Sequence, residues 1–327
     1  MPHLYFAPLD GITTVVFRRV YSEHFGAPER FTIPFISPTG QHLITPRDFR
    51  QIDPEANAGL NCVPQIMTHS AADLIWASQT LRDLGYREID LNLGCPSGTV
   101  VAKGKGSGFL RDPEALDRFF DEAFRGIALP LSVKTRLGLQ SADEFPALLA
   151  VYERYPLTAL TIHPRVQKQF YRGAVDEAAF AAAYDGSSLP LIFSGDVTTP
   201  ARAGELAERY PHLAGIALGR GAIADPALFR KIRGGENATR EELQSFTRDL
   251  YQAYRDFYGK NVAGGAERFQ AAQRMREIWF YLIHLFEGGE KLGRELRRSK
   301  GPVQYEALEA EIFATLPLLS APAGALI

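Results

Sequence analysis

The sequence predicts a (β/α)8 TIM barrel followed by a small all-α helical domain. Three observations carry this: eight short β-rich runs, amphipathic helical patterns between most of them, and helix without strand after about residue 235. Eight parallel strands close such a barrel. The runner-up, an open doubly wound sheet, calls for Gly-x-Gly-x-x-Gly after a strand, and no run is followed by one. The loop Gly104-Lys105-Gly106-Ser107-Gly108 has the wrong spacing for it. It is not a P-loop either, because five residues rather than four follow Gly98 before Gly104-Lys105.

In order, the strands are Leu4–Pro8, Phe31–Ser37, Val63–Met67, Glu88–Gly94, Leu129–Thr135, Ala159–His163, Leu189–Ser194 and Gly215–Gly219. The fourth is an apolar run, Glu88 to Leu93, stopped by Gly94 and Pro96. The second crossover, Thr39–Asn61, is polar and irregular. Ser70–Leu84 opens on a serine cap and carries Leu74, Ile75, Ala77, Ser78 and Leu81 at helical spacing. Pro113–Phe124 has Asp112 as cap and Pro113 in its first turn. Ser141–Tyr155, Val175–Tyr184 and Pro200–Tyr210 follow the same logic. Past a linker near Gly234-Gly235-Glu236-Asn237, the helices are Glu241–Tyr258, Ala266–Phe286, Glu290–Arg298 and Val303–Leu316. The expected division is therefore 1–235 and 236–327.

The 327 residues are 46% apolar and can bury a large core. A net charge of -2 gives no global cationic field, so contact with nucleic acid needs a local patch. Cys62 and Cys95 make neither a disulfide framework nor a zinc-binding spacing, which fits a reducing cytosol and no metal site. The N-terminus lacks the basic and long apolar regions of a signal peptide, and no run reaches the length of a membrane span. The expected location is cytoplasmic.

Chemistry in a barrel gathers at the C-terminal ends of the strands. Those ends carry Pro8-Leu9-Asp10-Gly11, Gln65, Asn92 with Cys95, Lys134 with Arg136, His163 with Arg165, Ser194-Gly195-Asp196, and Gly219-Arg220-Gly221. Each has a bland reading alone: a loop hydrogen bond for Gln65, a core histidine for His163, a helix cap for Asp196. Together they are harder to dismiss. A lysine inside a barrel strand is costly to bury without a partner such as an anion or a polarised ring. Glycine turns at the last two strand ends, with Arg220, suit a phosphate. Either a phosphorylated cofactor such as a flavin, with Lys134 beside its ring, or a sugar-phosphate substrate satisfies this set. Cys95 sits at the fourth strand's rim next to a loop expected to be mobile and cationic, as either a packing or a reactive thiol.

Asn92-Leu93-Gly94-Cys95-Pro96-Ser97, the glycine-rich loop ending Gly108-Phe109-Leu110, Val133-Lys134-Thr135-Arg136, Ile162-His163-Pro164-Arg165 and Gly219-Arg220-Gly221-Ala222 together resemble the tRNA-dihydrouridine synthases. Ala7-Pro8-Leu9-Asp10-Gly11 is similar to that family's opening flavin segment. The resemblance spans residues 4–233, and the helical tail stands where the family has its tRNA-binding helices. It implies an FMN enzyme that uses NADPH to reduce the 5,6 double bond of uridine in tRNA. By position, Cys95 would be the general acid that protonates C5. Pro8, Leu9, Asp10, Gln65, Lys134, His163, Ser194, Gly195, Asp196, Gly219 and Arg220 would hold FMN. Asn92, Arg136 and Arg165 would lie near the base or flavin, and Lys103 and Lys105 could meet RNA phosphates. Three departures bear on the subfamily: Ser194 stands for the usual Asn, Pro164 for the commoner Gly, and the loop after Cys95 is unusually cationic.

The segment Lys291 to Lys300 holds five basic residues and one acid. On a helix Arg294, Arg297 and Arg298 share a face, a candidate phosphate-tracking patch that Arg268, Arg274 and Arg276 could extend. Trp279, Phe280, Tyr281 and Phe286 read as the core of the small domain. Two rival readings stand beside the leading one: a small-molecule flavin oxidoreductase of the dihydroorotate-dehydrogenase type, and a tRNA-binding protein without catalysis.

Overall fold

A computed structural model describes residues 1–259, 266–324 and 326. Eight strands pair in chain order, all parallel, and the last closes on the first. They are β1 (His3–Phe6), β2 (Arg30–Ile36), β3 (Cys62–Ile66), β4 (Ile89–Leu93), β5 (Leu131–Arg136), β6 (Leu160–His163), β7 (Leu191–Ser194) and β8 (Gly215–Leu218). Register brings the strand-end residues together. Gln65 pairs with Asp90, Asn92 with Lys134, and Arg136 with His163, so their side chains meet at one mouth.

The crossover helices are α1 (Val15–Phe25), α2 (Pro46–Ile52), α3 (Ala71–Asp83), α4 (Gly98–Val101), α5 (Pro113–Ala123), α6 (Phe145–Tyr152), α7 (Glu177–Gly186), α8 (Pro200–Arg209), α9 (Arg220–Ala224) and α10 (Leu228–Ile232). Ser70 caps α3 and Asp112 caps α5, each accepting from a backbone N–H in the first turn. Three expectations change. The first crossover holds α1, which sequence reading did not single out. The irregular second crossover contains α2, capped by Thr45. Ser141–Tyr155 is not one helix, because Pro146 cannot donate to a preceding turn. A 3-10 turn at Ala142–Glu144 therefore precedes α6.

Beyond the barrel follow α11 (Arg240–Gly259), α12 (Ala266–Leu282), α13 (Glu290–Arg297) and α14 (Pro302–Thr315). They share a core with the barrel. The ring of Phe246 on α11 meets Phe25 edge-on at 5.1 Å and Phe17 at 6.2 Å, and Phe17 meets Phe6 of β1 at 5.7 Å. Tyr254 reaches the Thr14 hydroxyl at 2.9 Å. The helices are thus held at a fixed attitude to the barrel mouth. No described helix is long and apolar enough to cross a membrane.

Candidate active site

A cavity of about 560 Å³ opens at the C-terminal ends of the strands. The fold brings every expected cofactor residue to its lining: Pro8, Leu9, Asp10, Gln65, Lys134, His163, Ser194, Gly195, Asp196, Gly219 and Arg220. Cys95, Asn92, Arg136 and Arg165 line it too. Lys103, Lys105, Arg294, Arg297 and Arg298 do not. Lys103 is exposed on the loop behind Cys95, and the three arginines are exposed on and just after α13.

Cys95 is held from several sides. The side-chain oxygen of Asn92 accepts from the N–H groups of Gly94 and Cys95 at 3.0 and 2.9 Å. The Asn92 amide donates to Gln65 Oε1 at 2.7 Å, the Gln65 amide donates to Asp90 at 2.7 Å, and Ser132 donates to the other Asp90 oxygen at 2.7 Å. This chain of buried groups runs from β5 to the thiol-bearing turn. Asp90, which sequence reading folded into an apolar run, anchors it. Its period-two relation to Asn92 was the available signal. Gln65 accordingly spends half of its hydrogen-bonding capacity, one donor and one acceptor site, on Asp90 and Asn92.

From the opposite side, the N–H and hydroxyl of Ser107 donate to the Cys95 carbonyl at 3.1 and 2.8 Å. Arg136 Nε donates to Gly94 O at 2.8 Å and its Nη1 to Val166 O at 3.2 Å. The loop expected to be mobile is therefore stitched to the cysteine it follows. Burial pushes the Cys95 thiol above the usual thiol range, a hydrogen bond from the Ser97 backbone opposes this, and Asp10 adds to it. The thiol is neutral at neutral pH.

Four cationic side chains, Lys134, Arg136, Arg165 and Arg220, face two carboxylates, Asp10 and Asp196, in the lining. Asp196, at φ 49°, binds Arg165 and also accepts from Arg220 Nη2 at 2.8 Å. Arg165 Nη1 donates to His163 Nε2 at 3.0 Å. A guanidinium cannot accept, so Nε2 is unprotonated and Nδ1 carries the proton. Burial, then the cations Arg136, Lys134, Arg165 and Arg220, hold His163 well below the usual imidazole range. The imidazole is neutral. The Lys134 side chain has no hydrogen bond or ion pair among the described residues. Burial first, then Arg136, lowers it to about 8, against the pull of Asp90.

Sequence reading missed two aromatic residues of the mouth. Tyr171, after β6, lies under two guanidiniums, Arg220 at 4.8 Å and Arg136 at 5.4 Å. Tyr281 comes from α12, where Trp279 and Phe286 are buried while Phe280 and Tyr281 are only partly so. The reading of all four as core is therefore corrected for Phe280; Trp279 and Phe286 are in the core, and Tyr281 packs against it from one side while lining the mouth. The suggested extension of the basic patch is corrected in part: Arg268 pairs with Glu306 at 2.9 Å and Arg274 with Glu277 at 2.9 Å, whereas Arg276 donates to Ser299 O and has no ion pair among the described residues.

Comparison with known proteins adds an independent line. The model of the dihydrouridine synthase (Dus) family matches residues 5–315. A probable tRNA-dihydrouridine synthase of Rhodobacter capsulatus is 30% identical over 80% of this chain and 82% of its own. A probable tRNA-dihydrouridine synthase of Staphylococcus aureus is 27% identical over 96% of this chain and 94% of its own. Among solved structures, the old yellow enzyme homologue from Zymomonas mobilis superposes with a TM-score of 0.52 at 12% identity, covering 73% of this chain and 91% of that one. That likeness concerns the fold alone.

Proposed function

The chain belongs to the dihydrouridine synthase family, and from that premise we propose that it reduces the C5=C6 bond of uridine in tRNA, with FMN bound at the barrel mouth and NADPH as reductant. The observation that carries the reading is one cavity holding both a backbone-clamped neutral thiol, Cys95, and an unpartnered lysine, Lys134.

The residues fit such a cofactor. The Lys134 ammonium lacks a partner, and Arg165 Nε is buried without one. A Cβ at Gly221 would stand 2.3 Å from Val197 O, so the turns after β7 and β8 approach as closely as glycine allows. Arg220 and the neighbouring backbone would hold the phosphate, and Lys134 would face the ring system. When bound, FMN supplies the hydride that uracil C6 receives.

The chain's own groups supply the rest. Cys95 gives its proton to C5, and its raised pKa keeps that proton in place at neutral pH. Asn92, Ser107 and Arg136 fix the turn that presents the thiol. Neutral His163 would have its Nδ1 proton to donate to a bound group, and it adds no charge to an already cationic site. A uracil must leave its stack to enter a barrel mouth, so the RNA is bound with the target base extruded.

The test is an absorption spectrum of the purified protein before and after NADPH, with and without unmodified tRNA. Flavin bands that bleach with NADPH and recover anaerobically only with tRNA support the reading. A yellow protein indifferent to tRNA points to a small-molecule reductase. A colourless protein that cannot be reconstituted with FMN removes the cofactor and the mechanism together.

A further inference from the structure

A second concavity of about 450 Å³ lies beside the catalytic cavity, between the barrel rim and the helices after it. Ile12 and Tyr281 line both, so the two adjoin. The rest of its wall includes Phe280 and Arg276 of α12 and Arg297 of α13. The Arg297 guanidinium lies over the Phe280 ring at 4.8 Å, and Tyr281 meets Phe280 edge-on at 4.8 Å. Arg297 has no ion pair among the described residues. The one carboxylate of the wall, Glu277, is neutralised by Arg274 at 2.9 Å. The groove is therefore cationic, aromatic and open to solvent.

The fold does not need Phe280 there. Trp279 and Phe286 already fill the core that α12 shares with Phe313. A partly exposed phenylalanine stacked under a free guanidinium gives a planar surface about the size of a base, with charge beside it for a phosphate.

We propose that this groove docks the nucleotide adjoining the target uridine, its base against the Phe280–Arg297 stack and its phosphate beside Arg276. The assignment rests on the tRNA reading above. Charge favours a nucleic acid over a neutral ligand, and the shared residues Ile12 and Tyr281 place the groove next to the cavity, which favours a nucleotide covalently next to the one in the cavity. Stacking tolerates every base, so the groove contributes affinity and alignment rather than sequence preference.

The test measures steady-state dihydrouridine formation by the FMN-loaded full chain on an unmodified tRNA transcript. Phe280→Ala and Arg297→Ala are expected to raise KM for tRNA about tenfold or more, with kcat at saturating tRNA little changed. Phe280→Trp should restore KM, whereas Phe280→Leu, of similar apolar bulk but without a π-face, should behave like alanine. Unaltered thermal midpoints establish that the variants are folded. An active wild type whose Phe280→Ala and Arg297→Ala variants keep the wild-type KM overturns the groove assignment alone, as does full rescue by leucine. A wild type loaded with FMN that forms no dihydrouridine overturns the tRNA reading and this one with it.

Discussion

The side-chain oxygen of Asn92 accepts the backbone N–H of Cys95 at 2.9 Å, two strand residues beyond the Asp90 that anchors the same network. A side chain at the end of β4 thus fixes the backbone of the turn that bears the thiol. Asn92→Ala would leave the Gly94 and Cys95 N–H groups and Gln65 Oε1 without these partners. The expected loss of stability is about 1–3 kcal/mol. The larger expected effect is on proton delivery to tRNA, a fall of about a hundredfold in single-turnover rate from pre-reduced protein. An RNA step as fast as wild type in the folded variant would show that the clamp is structural only.

Gly106 presses on the same residue from behind. At φ 55°, a Cβ there would lie 2.9 Å from both Cys95 Cβ and Cys95 O. Gly106→Ala therefore displaces the thiol while leaving Lys134 and the turns after β7 and β8 untouched. The variant should purify with its flavin and lose most of its activity on tRNA. A colourless preparation, or full activity, contradicts this placement.

The pH dependence of proton transfer follows from the raised thiol pKa. In the proposed reaction the protonated form donates, and the raised pKa makes it persist to higher pH than an ordinary thiol. The rate of the RNA step should stay flat past about pH 8.5, where an unperturbed thiol is half ionised, and fall only above it. A rate that climbs through that range would make the thiolate the active form.

How far the sequence reaches is visible in these same residues. The strands were legible because short β-rich runs end in Gly, Pro or polar residues, and barrel closure then follows from their number. The mouth was legible because chemistry sits at strand ends. Asp90 was legible only as the residue two before Asn92 on the same strand face; its partners Gln65 and Ser132 lie on other strands, which the local pattern Ile89-Asp90-Leu91 does not announce. Helix α1 was obscured by Val15, Val16 and Phe17, which suit a strand equally well. Its Arg18 is buried against Thr13 O, Gln51 O and Asn57, contacts no local pattern announces. Phe280 and Tyr281 were read as core because an aromatic run has no outward signal until the position of Trp279 is known.

Lys134 gives a prediction in which stability and binding move in opposite directions. Its pKa is about 8 in the folded chain and near 10.5 when exposed. Below about pH 8 both states hold the proton, and the burden of a buried charge is fully present. Between those values the unfolded chain binds more protons, so this burden lifts as pH rises. Lys134→Met should raise the thermal midpoint of the flavin-stripped protein most near neutral pH, with the gain shrinking toward pH 10.5. The same change should weaken FMN binding, read by fluorescence titration. A methionine variant less stable than wild type at neutral pH would mean that the lysine has a partner in the stripped protein.

Arg294 and Arg298 separate long-range charge from the groove. Both are exposed, neither lines a cavity described above, and neither has an ion pair among the described residues. If tRNA crosses α13, each arginine that meets a phosphate releases counterions on binding. The slope of log affinity against log salt should then shrink by about 0.7–0.9 for each arginine replaced by glutamine. Phe280→Ala, which removes a stacking surface and no charge, should weaken binding at every salt concentration and leave the slope unchanged. Equal slopes for wild type and the Arg294→Gln, Arg298→Gln double variant would return this helix face to solvent and place the RNA path on the barrel side of the groove.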